Sequence, residues 1–168
     1  MYVAYTDGSC KANNEGGYAS IILKNNNLIT RLYEGFTNTT NNRQEALAVL
    51  KTLEYFKDPT DLTVICDSQY VVNTIEKKWL FKWIEENDLS KSNLDIWFKI
   101  ADLLKYHNVT VKSVGSLKYS NVFKTAKASC LLFVVFVNPS YNLVTRLSFF
   151  KIIEAYPPSL FALQDPSV

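Results

Sequence analysis

The 168-residue sequence predicts an α/β domain built on a mixed five-stranded sheet, three antiparallel strands followed by two parallel ones, flanked by helices. Two patterns indicate this fold class. Three short apolar runs joined by tight turns open the chain, as in an antiparallel meander. Beyond residue 41, helical periodicity alternates with further apolar runs, and a helix between two strands is typical of a parallel crossover.

The first three strands are predicted over residues 2–7, 18–23 and 28–36. The first strand stops at Gly8-Ser9, where turn residues replace the apolar run. A polar turn over residues 25–27 separates the second strand from the third. Connections this short make consecutive strands antiparallel neighbours.

A change of period predicts a helix over residues 41–57, with Thr40, Asn41 or Asn42 as its cap. Apolar residues recur there at three- and four-residue steps: Ala46, Val49, Leu50, Leu53 and Phe56. The unbroken apolar run 62–66 then predicts a fourth strand that is covered on both faces.

The segment 69–87 is helical in character but basic, and it contains two tryptophans. Residues 93–106 predict a further helix and residues 109–112 a fifth strand. The resulting order is β-β-β-α-β-α-α-β. Beyond it, residues 118–129 fit a helix, and the eight consecutive apolar residues 130–137 fit either a buried strand or a helix segment.

Composition limits the classes of function. A hydrophobic fraction of 48% excludes a globally disordered chain, and a net charge of +2 is too small to indicate a nucleic-acid partner by itself. Three cysteines (Cys10, Cys66 and Cys130) cannot all pair within one chain, and no apolar signal segment opens the sequence. We therefore expect a reducing, cytoplasmic compartment. Polar residues and a proline interrupt the uncharged stretch 128–145, so no membrane span is expected.

Three acidic residues are predicted to converge at one end of the sheet. Asp7 and Asp67 each close a predicted strand, and neighbouring strands lie about 4.8 Å apart. Glu45 lies four residues before Val49, on the helix stripe that faces the sheet. Adjacent carboxylates oppose each other's ionisation unless a cation intervenes, and oxygen ligands favour Mg²⁺ or Mn²⁺ over zinc.

Ordinary structural roles remain open for the same residues. Asp7 and Asp67 are each followed by a small residue and could simply open turns. Glu45 suits a capping box begun by Asn42. The basic segment 69–87 could be a solvated helix whose tryptophans belong to the core.

Four motifs of this sequence resemble those of the ribonuclease H family in order and spacing. They are Tyr5-Thr6-Asp7-Gly8-Ser9-Cys10, Gly16-Gly17-Tyr18, Thr39-Thr40-Asn41-Asn42-Arg43-Gln44-Glu45 and Asp67-Ser68-Gln69-Tyr70-Val71-Val72. The segment Lys77-Lys78-Trp79 with Trp83 resembles the basic handle of the bacterial form. The resemblance covers residues 2–112 and implies a ribonuclease-H-like fold.

The resemblance implies a metal-dependent endonuclease that hydrolyses the RNA strand of RNA/DNA hybrids. Two Mg²⁺ ions, for which Mn²⁺ could substitute, would respectively activate the attacking water and stabilise the leaving 3′-oxygen. Asp7, Glu45 and Asp67 would then be the catalytic residues and metal ligands, with Asp7 bridging both ions. We expect the protein to act as a monomer.

The resemblance also implies a surface that binds the hybrid. Contacts to the nucleic-acid backbone and the 2′-hydroxyls are implied for Ser9, Asn13, Asn41 and Gln69. Contacts to the DNA strand through phosphate charge and sugar are implied for Lys77, Lys78, Trp79, Lys82 and Trp83.

The family pattern fails beyond Lys112. When the sequence is aligned so that Val114 falls at the family's histidine, Lys124 falls at its fourth aspartate. Residues 103–153 contain no acidic residue, so a shifted alignment does not supply one. The single histidine, His107, is expected on the surface, at the end of the sheet far from the metals. We therefore expect impaired cleavage. The alternatives are a catalytically inactive hybrid-binding module and a truncated or frameshifted product.

The predicted organisation is a ribonuclease-H-like domain over residues 1–129 and an unassigned tail over 130–168. Within the domain, residues 113–129 carry the degraded motif. The charge also changes there, because residues 113–168 hold two acidic side chains against five basic ones.

Overall fold

The computed structural model describes residues 1–86 and 88–113. Its strands and helices follow in the order β1 (Tyr2–Cys10), β2 (Gly16–Lys24), β3 (Asn27–Phe36), α1 (Asn41–Tyr55), β4 (Asp61–Cys66), α2 (Gln69–Glu76), α3 (Trp79–Glu85), α4 (Leu94–Tyr106) and β5 (Asn108–Ser113). The expectations for residues 118–129, for the apolar run 130–137, for the stretch 128–145 and for the domain boundary lie outside the described residues. None of the described helices has the length and apolar character to cross a membrane.

The five strands form one sheet in the order β3-β2-β1-β4-β5. The first three strands pair antiparallel, whereas β4 runs parallel to both β1 and β5. This confirms the predicted mixed sheet and places β1 at its centre. The carboxyl ends of β1, β4 and β5 consequently share one edge of the sheet.

The turn between β2 and β3 depends on two asparagines. Asn25 and Asn26 both have positive φ, 51° and 65°. Asparagine tolerates this left-handed region better than most side chains, and two such residues in succession match the twist of a tight hairpin. The polar turn predicted there is therefore confirmed.

The main core lies between the sheet and the helices. Val49 and Leu53 of α1 are fully buried against the strands, and Leu80 of α3 and Trp97 of α4 join the same cluster. The Trp97 indole donates to the Tyr70 hydroxyl at 2.7 Å, which satisfies its one polar atom. Side chains of the opposite sheet face form two smaller buried clusters around Tyr5.

The prediction of one helix over residues 69–87 is wrong, because α2 ends at Glu76 and a separate helix, α3, begins at Trp79. Lys78 has a φ of 56°, and α3 starts in a new direction at Trp79. In a continuous helix, Ile75 and Leu80 would lie about 140° apart around the axis. The break lets both apolar side chains enter one core, and both are buried. Asn87 lies outside the described residues.

The expectation that His107 lies on the surface is also wrong. Only 4% of this residue is exposed, and its ring packs edge-on against Phe56 and Tyr106. The end of α4 closes over the residue that follows α1, which encloses the imidazole. The prediction that His107 lies at the end of the sheet far from the three carboxylates is confirmed, because the next residue, Asn108, pairs with Asp61 at the start of β4.

The environment of Tyr18 on β2 predicts that the fold loses stability at alkaline pH. Its hydroxyl, which is half-buried, donates to Glu34 Oε2 on β3 at 3.3 Å. Burial, reinforced by that carboxylate, raises the pKa of Tyr18 from 10.0 to about 12. The unfolded chain loses this proton above pH 10 while the folded protein keeps it, so the free energy of unfolding falls as the pH rises towards 12.

Substitution of Tyr18 by Phe should therefore flatten the alkaline loss of stability. We expect Tyr18→Phe to remove up to about 1 kcal/mol of the loss between pH 9 and pH 11. Urea unfolding at both pH values measures it. Tyr33→Phe, at an exposed tyrosine of β3, is the matched control. Equal losses in Tyr18→Phe and the parent chain would contradict this assignment.

Candidate metal and nucleic-acid site

Asp7 lies inside the central strand and does not end it. The residue pairs with Ala19 of β2, β1 continues to Cys10, and only 4% of Asp7 is exposed. The expectation that the first strand stops at Asp7 is therefore wrong, and so is the interpretation of Asp7 as a turn opener. A carboxylate in the middle of a sheet has no turn to stabilise.

Gly8 allows α1 to rest directly on β1. A Cβ at this position would lie 2.7 Å from Glu45 Cα and closer still to Glu45 N. No side chain fits between the two backbones, so glycine is required here by close approach. The contact sets Glu45 beside Asp7.

Glu45 faces inward from the second turn of α1. Thr40 is the N-cap, and its hydroxyl accepts from the Arg43 N–H at 3.3 Å. Because the cap is Thr40 and not Asn42, Glu45 lies too far along the helix to complete a capping box. Only 5% of Glu45 is exposed, so this carboxylate is buried at the sheet.

Asp67 occupies the link between β4 and α2. The strand ends at Cys66, and the Ser68 hydroxyl caps α2 by accepting from the Val71 N–H at 3.3 Å. Since Thr6 pairs with Cys66 in the parallel register, Asp67 comes next to Asp7. This is the convergence that the sequence predicted.

The three carboxylates offer ligand oxygens that all lie within 4.8 Å of one another. Such a set fits a hard divalent cation such as Mg²⁺ or Mn²⁺, which prefers oxygen ligands. The neighbouring Cys66 does not add a thiolate, because burial and the Glu45 carboxylate raise its pKa to about 12. Within residues 1–86 and 88–113, the donor chemistry of this cluster is therefore that of carboxylates.

Four residues predicted to contact the hybrid lie at the same end of the sheet as the carboxylates. Ser9 is close to the end of β1, and Asn13 is exposed in the loop between β1 and β2. Asn41 and Gln69 are exposed first residues of α1 and α2. These four positions thus lie at the end of the sheet that also carries Asp7, Glu45 and Asp67.

The basic residues predicted as a handle surround the junction of α2 and α3. Lys77, Lys78 and Lys82 are exposed, and the Lys77 Nζ lies 5.3 Å from the centroid of the Trp79 ring. Trp79 is 39% exposed, whereas Trp83 packs partly against the core. The alternative that both tryptophans belong to the core is therefore wrong for Trp79.

One ion pair that supports the site was not predicted from the sequence. Arg43 donates from both guanidinium nitrogens to Asp95 on α4, at 2.7 and 3.0 Å. The hydrogen bonds from Arg43 lower the pKa of Asp95. This bidentate pair connects the first turn of α1 to α4 across 52 positions of sequence, a distance at which charge patterning predicts no partner.

Comparison with known proteins identifies relatives. The model of the RNase H family matches residues 1–117. Ribonuclease H of Caldicellulosiruptor saccharolyticus is 38% identical over 119 residues, which span 67% of this chain and 81% of that protein. Ribonuclease H of Nitratidesulfovibrio vulgaris is 43% identical over 117 residues, or 66% of this chain and 74% of that protein.

Solved structures with the same fold include two RNases H. RNase H1 of the halophilic archaeon Halobacterium salinarum superposes with a TM-score of 0.60 at 17% identity, covering 79% of this chain and 96% of that one. LC9-RNase H1, described as a type 1 RNase H with the type 2 active-site motif, gives a TM-score of 0.67 at 19% identity, covering 78% and 70%. These likenesses confirm the ribonuclease-H-like fold.

Because three carboxylates lie close together, we expect their mutual repulsion to lower the free energy of unfolding when no cation is bound. Neutralising the least buried ligand, in Asp67→Asn, should raise the free energy of unfolding in EDTA by about 1 kcal/mol, because like charges at this separation repel. Added Mg²⁺ or Mn²⁺ should stabilise the parent chain more than the variant. Thermal unfolding with and without the ions measures both effects.

Asp58→Asn is the matched control for this prediction. It makes the same change of charge at an exposed residue before β4, at the opposite end of that strand. An equal response of Asp58→Asn and Asp67→Asn to the cations would contradict a cation site at the three carboxylates.

Proposed function

Because the chain belongs to the ribonuclease H family, we propose that it is an endonuclease that hydrolyses the RNA strand of RNA/DNA hybrids, using Mg²⁺ held by Asp7, Glu45 and Asp67. The observation that carries this proposal is the convergence of the three carboxylates, with ligand oxygens within 4.8 Å, on β1, α1 and the end of β4. Mn²⁺ would substitute for Mg²⁺ at the same oxygens.

The protein's own contribution to the reaction is a rigid set of ligands. When bound, divalent ions would activate the attacking water and stabilise the leaving 3′-oxygen. Asp7 is held by a central strand and Glu45 by a helix that rests on that strand, so both are preorganised. Asp67 completes the set from the link that follows β4.

Recognition of the hybrid would use the surface around these ligands. Ser9, Asn13, Asn41 and Gln69 offer hydroxyl and amide groups that suit 2′-hydroxyls and backbone oxygens of the RNA strand. Lys77, Lys78 and Lys82, with Trp79 and Trp83, would hold the DNA strand through phosphates and sugars. Phosphate contacts would set the position of the hybrid, and the 2′-hydroxyl contacts would select RNA for cleavage.

We further propose that cleavage is impaired in this chain. In the alignment that places Val114 at the family's histidine, Lys124 falls at the position of its fourth aspartate, and residues 103–153 contain no acidic residue. A lysine at the fourth position would weaken the hold on the water-activating ion. This departure favours one second candidate, a module that binds hybrids without cutting them; a frameshifted product would instead fail to do either.

The cellular setting proposed for this activity is the cytoplasm, with the protein acting as a monomer. Two of the cysteines, Cys10 and Cys66, are free thiols, which suits a reducing compartment.

Loss of the central ligand should abolish the activity. Asp7→Asn is expected to lower the rate of hybrid cleavage at least about 100-fold, because a neutral amide holds a divalent cation poorly and several kcal/mol of transition-state stabilisation are lost. The measurement is cleavage of a hybrid labelled on its RNA strand, in Mg²⁺ and in Mn²⁺. Asp58→Asn, the control, should cut like the parent chain.

The outcomes of this measurement separate the candidates. Cleavage by the parent chain and not by Asp7→Asn supports the enzyme. A parent chain that binds the hybrid but never cuts it supports the binding module. Equal cleavage by the parent and Asp7→Asn would contradict the proposed site.

Neutralising the handle should weaken hybrid binding without sequence preference. Changing Lys77, Lys78 and Lys82 to Gln is expected to lower affinity and to reduce the slope of log Kd against log salt by about 2 to 3, roughly 0.9 per lost phosphate contact. Fluorescence anisotropy across a salt series measures this slope.

The control for the handle is a triple change to Gln at exposed lysines elsewhere, Lys57, Lys99 and Lys105. It removes the same charge outside the handle. An equal change of slope in both triple variants would show that net charge, and not the handle, governs binding.

A further inference from the structure

Thr39, in the link between β3 and α1, joins that link to the β1–β2 loop. Its N–H donates to Asn14 O at 2.9 Å, and its carbonyl oxygen accepts from the Cys10 thiol at 3.3 Å. Its methyl group lies against Gly16, where an added Cβ would come within 2.9 Å. Thr39 is buried, so these contacts form a closed junction between the two segments.

Gln44 completes this junction from the helix. The side chain is fully buried, and its Nε2 donates to Thr39 Oγ1 at 2.6 Å. Its other polar atom, Oε1, is buried without a hydrogen-bond partner among the residues that the structure describes. A buried amide with an unsatisfied oxygen costs free energy that an apolar side chain of the same shape would not. Methionine at this position would remove the unsatisfied Oε1 but leave the buried Thr39 Oγ1 without this donor, so the two effects on stability oppose each other.

The two segments joined here carry residues that the proposed function places on the hybrid. The β1–β2 loop contains Asn13, and the first turn of α1 begins with Asn41. Glu45 follows Gln44 directly on the same helix. The Gln44–Thr39 hydrogen bond consequently fixes the position of the β1–β2 loop relative to the start of α1 and to Glu45.

We propose that Gln44 is a positioning residue for hybrid binding, which acts by holding Thr39 and thereby the β1–β2 loop against the start of α1. The inference rests on the proposed function, since it assumes that the hybrid contacts both segments. Without the hydrogen bond, the loop would sample further conformations, and binding would have to order it at a cost in affinity. Gln44 itself is buried and touches no nucleic acid.

The test compares affinity with stability in Gln44→Met and Thr39→Val. Each variant deletes the hydrogen bond with little change in side-chain volume, and Thr39→Val also leaves the buried Gln44 amide without its acceptor. We expect both to bind a fluorescent RNA/DNA hybrid in EDTA about 5- to 10-fold more weakly, with no further loss in the double variant. The thermal midpoint of Gln44→Met should lie close to that of the parent chain, because removal of the unsatisfied Oε1 offsets the loss of the hydrogen bond to Thr39 Oγ1. Hydrogen exchange should be faster over residues 11–15 and at Thr39.

Thr52→Val is the matched control, because it removes another buried polar contact between α1 and the sheet. Thr52 lies two turns after Gln44 on α1, and its hydroxyl is 2.7 Å from the Ser20 hydroxyl of β2. We expect this variant to lower the thermal midpoint and to leave hybrid affinity unchanged.

The result that would overturn the proposal is parental affinity in Gln44→Met or in Thr39→Val. Loss of stability without loss of affinity would make the pair an ordinary structural contact, as would failure of both variants to fold. A parent chain that binds no hybrid removes the proposed function, and the positioning role with it. Parental binding that Gln44→Met retains in full removes the positioning role alone.

Discussion

The contact between the backbone of α1 and Gly8 of β1 is the constraint on which the site depends. Here a helix rests on the central strand with no side chain between them. The contact brings Glu45 beside Asp7, two residues that are 38 positions apart and belong to different kinds of element. Parallel pairing of β4 with β1 then adds Asp67 from the other side. Three local structures thus supply one carboxylate each at a single point.

The two ends of α1 have different roles. Its later turns hold the helix on the sheet through apolar side chains such as Val49 and Leu53, which are fully buried. Its first turns bury Gln44 and Glu45, polar groups that gain nothing from the hydrophobic effect. The apolar end supplies the stabilisation that keeps the polar end in place. Arg43, through its bidentate pair with Asp95, fixes the same turns from the outer side.

Patterns close together in the sequence predicted most of the fold. Alternation and helical spacing located the strands and most of the helices, since the period of apolar residues reflects which face is buried. Two predictions were wrong because tertiary packing, and not local sequence, decides both features. The helix is interrupted at Lys78 so that Leu80 enters the core, although neither glycine nor proline marks this position. His107 is buried because it packs on Phe56, which lies 51 positions earlier in the sequence.

The sequence by itself determined the order of the strands, the three acidic residues and the family, because spacing within motifs reflects local backbone geometry. Only the tertiary structure decided that Asp7 lies within a strand, that Trp79 is exposed while Trp83 packs on the core, and that Gln44 holds Thr39. These facts depend on which surfaces meet after folding. A buried hydrogen bond or a backbone contact at Gly8 has no periodicity along the chain, so it becomes visible only when both partners are placed in space.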